Sequence, residues 1–248
     1  MPPEIIESGY SKELTIAPQS LSSYLIHSQY FISAGRIFCL KEQDFLDVVT
    51  YSTCITIVML TFSEGNDAFI ADEIMRLKGE GNADTDIINQ VLAMKMHVGE
   101  EDTSRFVFQN CTIETKNKAI NGKQVRGAYT DERYANNGLA YIAYQYVLNK
   151  YMLLASDNLQ TPKGARFWVV KLFDKLNKIG IYDQNSKEFK GLLNDDLKMK
   201  CGSLVWSSNL VHSELGDALD VDIDVDIPQT KVKTVLFALK DNEQDWYI

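Results

Sequence analysis

The sequence predicts an α/β fold in which a mixed sheet is flanked by helices. The main observation is that residues 104–183 alternate strand and helix signals in the order β-turn-β-α-β-α-β. Such alternation requires at least one parallel crossover within a sheet. A second observation is the composition of the 248 residues, with 45% hydrophobic and 24% charged side chains, which is typical of a globular protein.

We expect a single domain in which residues 104–183 form the core, preceded by strands and helices and followed by a β-rich extension over residues 184–248. Residues 24–40 are strand-rich, and residues 44–49 are typical of a helix. The β-branched run at 55–58 favours a strand. Amphipathic helices are predicted at residues 67–78 and 84–97.

A hairpin is predicted at the start of the core region. Residues 104–114 and 125–129 are rich in strand-forming side chains. The dipeptide Asn121-Gly122 lies between them and is expected to form the turn, because both central positions of a type I′ turn have positive φ.

The rest of the chain is predicted from caps and short apolar runs. A helix is expected at 139–150 and a buried strand at 151–155. Thr161-Pro162 predicts the start of a helix that ends near residue 177, because threonine can cap the first N–H groups and proline suits the first helical position. Further strands are expected at residues 181–182, 203–207 and 233–239.

Charge and composition exclude several classes of function. The net charge of -9 disfavours broad nucleic-acid binding. An enzyme that modifies a tRNA or a nucleic-acid base stays an alternative, because it would need only a local patch of basic side chains. The candidates for such a patch are Lys116, Lys118, Lys123 and Arg126. The apolar run at 54–62 is shorter than the ~20 residues of a membrane-spanning helix. With no N-terminal signal pattern, a cytoplasmic protein is expected.

No metal site is expected, because the four cysteines and three histidines are widely separated in the sequence. The cysteines are expected to be buried and reduced; they are Cys39, Cys54, Cys111 and Cys201. The alternating segment 220–227 places four aspartates on one face of a strand. We expect this face to protect a sheet edge from aggregation, or to attract a basic partner.

A candidate anion-binding turn lies between the predicted strand and the helix at 139–150. A glycine there allows a close approach to a ligand, and the N–H groups and dipole of a helix start attract anions such as pyrophosphate. An ordinary tight turn is the alternative interpretation. The candidate contacts are Arg133, Ala135, Asn136, Asn137, Gly138, Leu139 and Ala140.

This turn and its surroundings resemble the coenzyme A-binding half of the GNAT (GCN5-related N-acetyltransferase) family. The family signature is Arg/Gln-x-x-Gly-x-Gly/Ala, and Gly138 and Ala140 match its last two positions. Ala135 stands where the family has Arg or Gln, and Arg133 is a candidate substitute for that side chain. The block at residues 156–168 is most similar to divergent acetyltransferase-like proteins of tailed phages.

The resemblance implies a GNAT-like fold with acetyl-CoA as acyl donor and an N-acetyltransferase activity toward an amine of a small molecule or protein. It places the pantetheine between the strands at 125–130 and 151–155. Acyl transfer needs a base, a polarised carbonyl and an acid, and the candidate catalytic residues are Glu132, Asp157 and Tyr182. Each also has a structural interpretation. Glu132 would be a solvated loop acid, Asp157 a cap that orders its loop, and Tyr182 a tyrosine at the edge of the core.

Other interpretations stay open. Ala135 and the weak set of candidate bases favour a catalytically inactive GNAT-like scaffold that acts as an interaction or phage virion protein. Such a scaffold would bind a partner or a second copy through the helices at 67–97 or the acidic strand at 220–226. Trp168 either lines an acceptor pocket or belongs to the core. Host cytoplasm, or the virion if the protein is phage-encoded, is the expected location.

Overall fold

The structure is a computed structural model of mixed α+β architecture. It describes residues 4–5, 14, 22–47, 51–114, 118–160, 164–165, 167–176, 178–193 and 234–240. Thr161, Pro162, Cys201 and the predicted strands at 203–207 and 220–227 lie outside these residues.

The strands are β1 Glu4–Ile5, β2 Ser23–Ser33, β3 Arg36–Phe45, β4 Thr53–Phe62, β5 His97–Glu114, β6 Ala119–Thr130, β7 Leu153–Ala155, β8 Leu159–Gln160, β9 Gly180–Asp183, β10 Glu188–Leu192 and β11 Thr234–Leu239. The helices are α1 Asn66–Gly79, α2 Asp84–Ala93, α3 Leu139–Tyr151 and α4 Phe173–Leu176. A 3-10 turn at Glu132–Tyr134 precedes α3, and a π-helix at Phe167–Leu172 precedes α4.

Nine strands form one mixed sheet in the order β10-β9-β11-β7-β6-β5-β4-β3-β2. Strands β6 and β7 run parallel and pair at Lys123 with Leu154 and at Gln124 with Ala155. Their connection contains α3, so the predicted parallel crossover is confirmed. The outer pairs β2–β3, β3–β4, β11–β7, β11–β9 and β10–β9 are antiparallel.

The chain divides into two compact units. Unit 1 comprises Met1–Glu13, Phe108–Gly127 and Tyr144–Ile248, and unit 2 comprises Leu14–Val107 and Ala128–Ala143. The long elements β5, β6 and α3 contribute residues to both units.

One hydrophobic core cluster of unit 2 is formed by the two amphipathic helices and the strands that they cover. Its buried members are Ile37, Leu60, Phe62, Ile70, Ile74, Leu77, Ile87, Ile88 and Val91. The helical members recur three or four positions apart, which is the spacing that places side chains on one face. The helix predicted at 84–97 ends early, because α2 stops at Ala93 and His97 begins β5.

The core of unit 1 gathers around the short strand β7, whose three residues are buried. They pack with residues of β9 and β11, and the buried cluster consists of Ile113, Leu153, Ala155, Tyr182, Val235, Phe237 and Leu239. The predicted strands at 151–155, 181–182 and 233–239 are therefore confirmed, each with shifted ends.

Two local predictions were wrong. Asn121-Gly122 does not form the hairpin turn but lies within β6. The reason is packing, since a Cβ on Gly122 would lie 2.5 Å from the Cβ of Leu153 in β7. In the predicted helix at 44–49, Asp44 and Phe45 instead extend β3, where Asp44 pairs with Thr53 of β4.

The described cysteines are all free, and Cys39 and Cys54 are buried as expected, whereas Cys111 is half-buried. Burial raises the pKa of the Cys54 thiol to about 11, so it stays neutral at pH 7. Across the described residues, no helix has the length and apolar character needed to cross a membrane. Within the same ranges, no group of three or more His, Cys, Asp or Glu side chains is placed to hold a metal ion.

Candidate functional site

The turn before α3 is ordered by hydrogen bonds on both sides. The N–H of Asn137 donates to the carbonyl of Tyr134 at 3.0 Å, and the hydroxyl of Ser33 donates to the carbonyl of Asn137 at 2.8 Å. Gly138 has a φ of 69°, which confirms the predicted turn glycine. A Cβ built on Gly138 meets no atom within 4 Å, so the glycine borders open space.

The backbone at this turn begins helix α3. The N–H of Ile142 donates to the carbonyl of Gly138 at 3.1 Å, which makes Gly138 the residue that precedes the first helical position. The first N–H groups of a helix have no partner within the helix, and here they belong to residues 139–141. Among the predicted contacts, Ala135, Asn136 and Gly138 are exposed, while Leu139 is buried in the core.

Arg133 forms ion pairs rather than presenting a free guanidinium. Its guanidinium lies 2.8 Å from Asp131 and 2.8 Å from Glu101. The hydrogen bonds from Arg133 hold the pKa of Asp131 below its usual range. A phosphate group would have to compete with these two carboxylates, so the expected substitution of Arg133 for the missing basic residue at Ala135 receives no support from this geometry.

Glu132 lies in the 3-10 turn next to the candidate turn. Its side chain is exposed, in agreement with the interpretation as a solvated loop acid. The turn is fixed by Asp131, whose carboxylate accepts a hydrogen bond from the N–H of Arg133 at 2.9 Å. Glu132 and the turn residues belong to unit 2.

Asp157 is buried in unit 1 and orders the loop that follows β7. Its side-chain oxygen accepts a hydrogen bond from the N–H of Asn158 at 2.9 Å and lies 3.4 Å from the guanidinium of Arg126. The same guanidinium lies 3.4 Å from the side-chain oxygen of Asn158. These contacts match the interpretation of Asp157 as a loop-ordering residue.

Two buried glutamines in the same loop region were missed by the sequence analysis. The amide of Gln124 donates to the carbonyl of Ser156 at 3.0 Å, and that of Gln160 donates to the carbonyl of Asp157 at 3.1 Å. Gln124 directly precedes the predicted strand at 125–129, and Gln160 directly precedes the predicted helix start at Thr161-Pro162, so neither position carried a signal of burial. Each amide holds one carbonyl of this loop.

Tyr182 is buried in the core of unit 1 rather than at its edge. Its hydroxyl accepts a hydrogen bond from the N–H of Glu114 at 3.2 Å, and only 2% of its surface is exposed. A donor to a leaving thiolate must reach the ligand, and this hydroxyl is directed to the backbone of β5.

The candidate basic patch does not form on the described surface. Lys123 is buried, with its ammonium 2.7 Å from the side-chain oxygen of Asn110. Arg126 contacts Asp157, and Lys118 is exposed. Lys116 lies outside the described residues. This arrangement offers no row of exposed cations to a nucleic-acid backbone.

Neither family models, nor curated proteins, nor solved structures give a match to this chain. The class that the structure defines is a mixed α+β protein with a nine-stranded mixed sheet.

The role of Asp157 can be tested by stability. Asp157→Ala is expected to lower the free energy of unfolding by about 2 kcal/mol, because the N–H of Asn158 loses its acceptor and the guanidinium of Arg126 loses its carboxylate partner. Asp157→Asn keeps an oxygen for the N–H of Asn158 and is expected to cost less than half as much. Urea unfolding followed by tryptophan fluorescence measures both variants. An Ala variant as stable as wild type would contradict the loop-ordering role.

Proposed function

We propose that the chain binds acetyl-CoA at the turn between β6 and α3 and acts as an N-acyltransferase with a GNAT-like fold. The observation that carries this proposal is the parallel β6–α3–β7 unit, with Gly138 at a φ of 69° directly before the helix. The order of elements supports it further, since the helical segment at 167–176 and strand β9 follow β7.

The turn supplies the groups that a diphosphate needs. Three backbone N–H groups, at residues 139–141, start α3 without partners inside the helix. The helix dipole adds a partial positive charge at the same place. Since Gly138 has no side chain and borders open space, the phosphate oxygens can approach these donors closely.

The reaction under this proposal is a direct transfer. The nitrogen of the acceptor amine attacks the thioester carbonyl carbon, the carbon–sulfur bond breaks, and the thiolate of coenzyme A leaves and takes up a proton. The amine loses its proton to a base, for which the exposed carboxylate of Glu132 is the candidate. Asp157 and Tyr182 are held in interior hydrogen bonds, so we assign them structural roles.

A second candidate function is a non-catalytic GNAT-like scaffold. It is favoured by the engagement of Arg133 with Asp131 and Glu101. Because Ala135 adds no basic group either, neither position 133 nor position 135 offers the turn an unengaged cation for a diphosphate. Such a scaffold would serve as an interaction or virion protein.

The test is a calorimetric titration of the full chain with acetyl-CoA. Wild type is expected to bind saturably, and Gly138→Trp is expected to weaken binding about 100-fold, because the indole would cover the donors at the helix start. Gly65→Trp is the matched control. Gly65 also has a positive φ, of 81°, directly precedes α1 and meets no atom within 4 Å of its Cβ position, so its backbone strain is similar.

The outcomes separate the two candidates. Binding lost in Gly138→Trp but kept in Gly65→Trp, together with release of free coenzyme A in a screen of amine acceptors, supports the acyltransferase. Binding without turnover of any amine favours the scaffold. A folded wild type that does not bind acetyl-CoA overturns the proposal.

A further inference from the structure

Strand β2 is the last strand of the nine-stranded sheet, and among the described residues β3 is the only strand that pairs with it. In an antiparallel pair, every second residue of a strand directs its N–H and C=O away from the neighbouring strand. β2 therefore presents a row of backbone donors and acceptors on the side that faces away from β3. We call this row the β2 edge.

The two outer strands of the sheet differ in the features that prevent pairing with another chain. The opposite outer strand, β10, has five residues, carries Glu188 and Lys190, and has an irregular register between Phe189 and Gly191. Short length, charge and irregular register usually protect the edge of a sheet. By contrast, β2 has eleven residues and contains no Asp, Glu, Lys, Arg or Pro, so its length and composition favour pairing.

Exposed apolar side chains are concentrated on the same strand. Of the nine large hydrophobic side chains that are exposed in the described part of the chain, four lie on β2, namely Tyr24, Leu25, Ile26 and Tyr30. A concentration of exposed apolar groups on one element is typical of an interaction surface. Together with the backbone groups, it indicates that the β2 edge adds a further strand.

Charge favours a second copy of this chain as the partner. The net charge of -9 makes two copies repel each other. The hairpin of β2 and β3 is neutral, however, because Arg36 and Lys41 offset Glu42 and Asp44. Two copies that meet at the β2 edge therefore bring no like charges opposite each other along the paired strands.

The register of this pairing follows from symmetry. β2 has a register shift between Leu25 and His27, and from His27 to Ser33 it pairs with β3 without interruption. Two antiparallel strands related by a two-fold axis place one residue opposite its own copy. Tyr30 is the centre of the regular stretch, so an axis beside Tyr30 allows the whole stretch to pair. Tyr30 is 42% exposed, and its ring can pack against the partner's Tyr30.

We propose that two copies of this chain form a symmetric dimer in which β2 pairs antiparallel with the β2 of the second copy, centred on Tyr30. The regular stretch would form about seven hydrogen bonds between the two chains, which is within the range of specific protein interfaces. The short contact predicts a dissociation constant in the micromolar range. The dimer does not depend on acetyl-CoA binding or on the acyltransferase proposal.

The test is sedimentation equilibrium of the full chain at concentrations up to about 100 μM. Wild type is expected to dimerise reversibly. Tyr30→Lys is expected to weaken the dimer at least about 10-fold, because it places two ammonium groups opposite each other. Phe69→Lys is the matched control, since Phe69 is an aromatic residue of unit 2 with 48% exposure but lies on α1. It is expected to change the affinity less than about 2-fold.

A mixing experiment tests the symmetry directly. Tyr30→Glu alone is expected to weaken the dimer as much as Tyr30→Lys does. An equal mixture of Tyr30→Lys and Tyr30→Glu is expected to dimerise again, because an ammonium then lies opposite a carboxylate. This recovery requires that position 30 of one copy faces position 30 of the other. Urea unfolding of each variant checks that it is folded, as expected for a substitution at an exposed position.

Four outcomes overturn the proposal. The first is a wild type that stays monomeric at about 100 μM, and the second is a dimer that Tyr30→Lys leaves unchanged. The third is equal weakening by Tyr30→Lys and Phe69→Lys, which would indicate association through general hydrophobic contacts. The fourth is a mixture of Tyr30→Lys and Tyr30→Glu that remains monomeric, since the two copies would then not meet at Tyr30.

Discussion

Replacing Gly122 by alanine is expected to lower the free energy of unfolding by about 3 kcal/mol. The added Cβ would lie 2.5 Å from the Cβ and 2.8 Å from the Cδ2 of Leu153, and it would overlap the carbonyl oxygen of that residue. Leu153 is completely buried and belongs to the core of unit 1, so its backbone has little room to move. Urea unfolding at constant pH measures the loss.

Gly79→Ala is the matched control for this substitution. Gly79 is the last residue of α1, and its Cβ position meets no atom within 4 Å. Alanine there is expected to leave stability unchanged or to raise it by up to about 1 kcal/mol, because alanine is the better helix former. If Gly122→Ala proved as stable as Gly79→Ala, Leu153 could not lie against Gly122.

The same glycine shows why local sequence signals fail. Asn-Gly is a strong turn signal because it accepts positive φ, and that signal is present at Asn121-Gly122. The glycine instead makes room for Leu153, which is 31 positions further along the chain. The residues around Gly122 do not indicate that a parallel strand, β7, will pair beside it after the crossover.

Elements whose signal is periodic were predicted well. The apolar spacing of α1 and α2 follows from burying one face of a helix, and it predicted both elements with only the end of α2 misplaced. The β6–α3–β7 crossover was predicted because a helix lies between two runs of strand formers. The extension of β3 through Asp44 was missed, since it depends on pairing with Thr53.

The candidate site was predicted as a set of residues but not as a set of contacts. The positive φ of Gly138 follows from the residue type and its place before a helix. The long-range partners of Arg133, Asp157 and Tyr182 did not follow, because Glu101, Arg126 and Glu114 are each more than 30 positions away in the sequence. Burial and long-range contacts therefore determine which of the candidate side chains can contact a ligand.

Replacing Trp168 by alanine is expected to lower the free energy of unfolding by about 4 kcal/mol. Trp168 is only 3% exposed, and its ring centroid lies 6.1 Å from that of Tyr144. Tyr144 also makes edge contacts with Phe108 and Phe167 at 6.2 and 5.3 Å. Removing the indole would leave a cavity in this aromatic cluster, so the core interpretation of Trp168 predicts a large loss in thermal and urea unfolding.

Trp168→Phe is the control, because a smaller ring keeps part of the packing against Tyr144 and is expected to recover about half of the stability. The alternative interpretation, a wall of an acceptor pocket, predicts a different pattern. In that case Trp168→Ala would leave stability nearly unchanged and raise the KM for the amine acceptor. The side chain is buried among aromatic rings of unit 1, so we expect Trp168→Ala to lower stability more than it changes the KM. Any loss of activity would then match the fraction of unfolded protein.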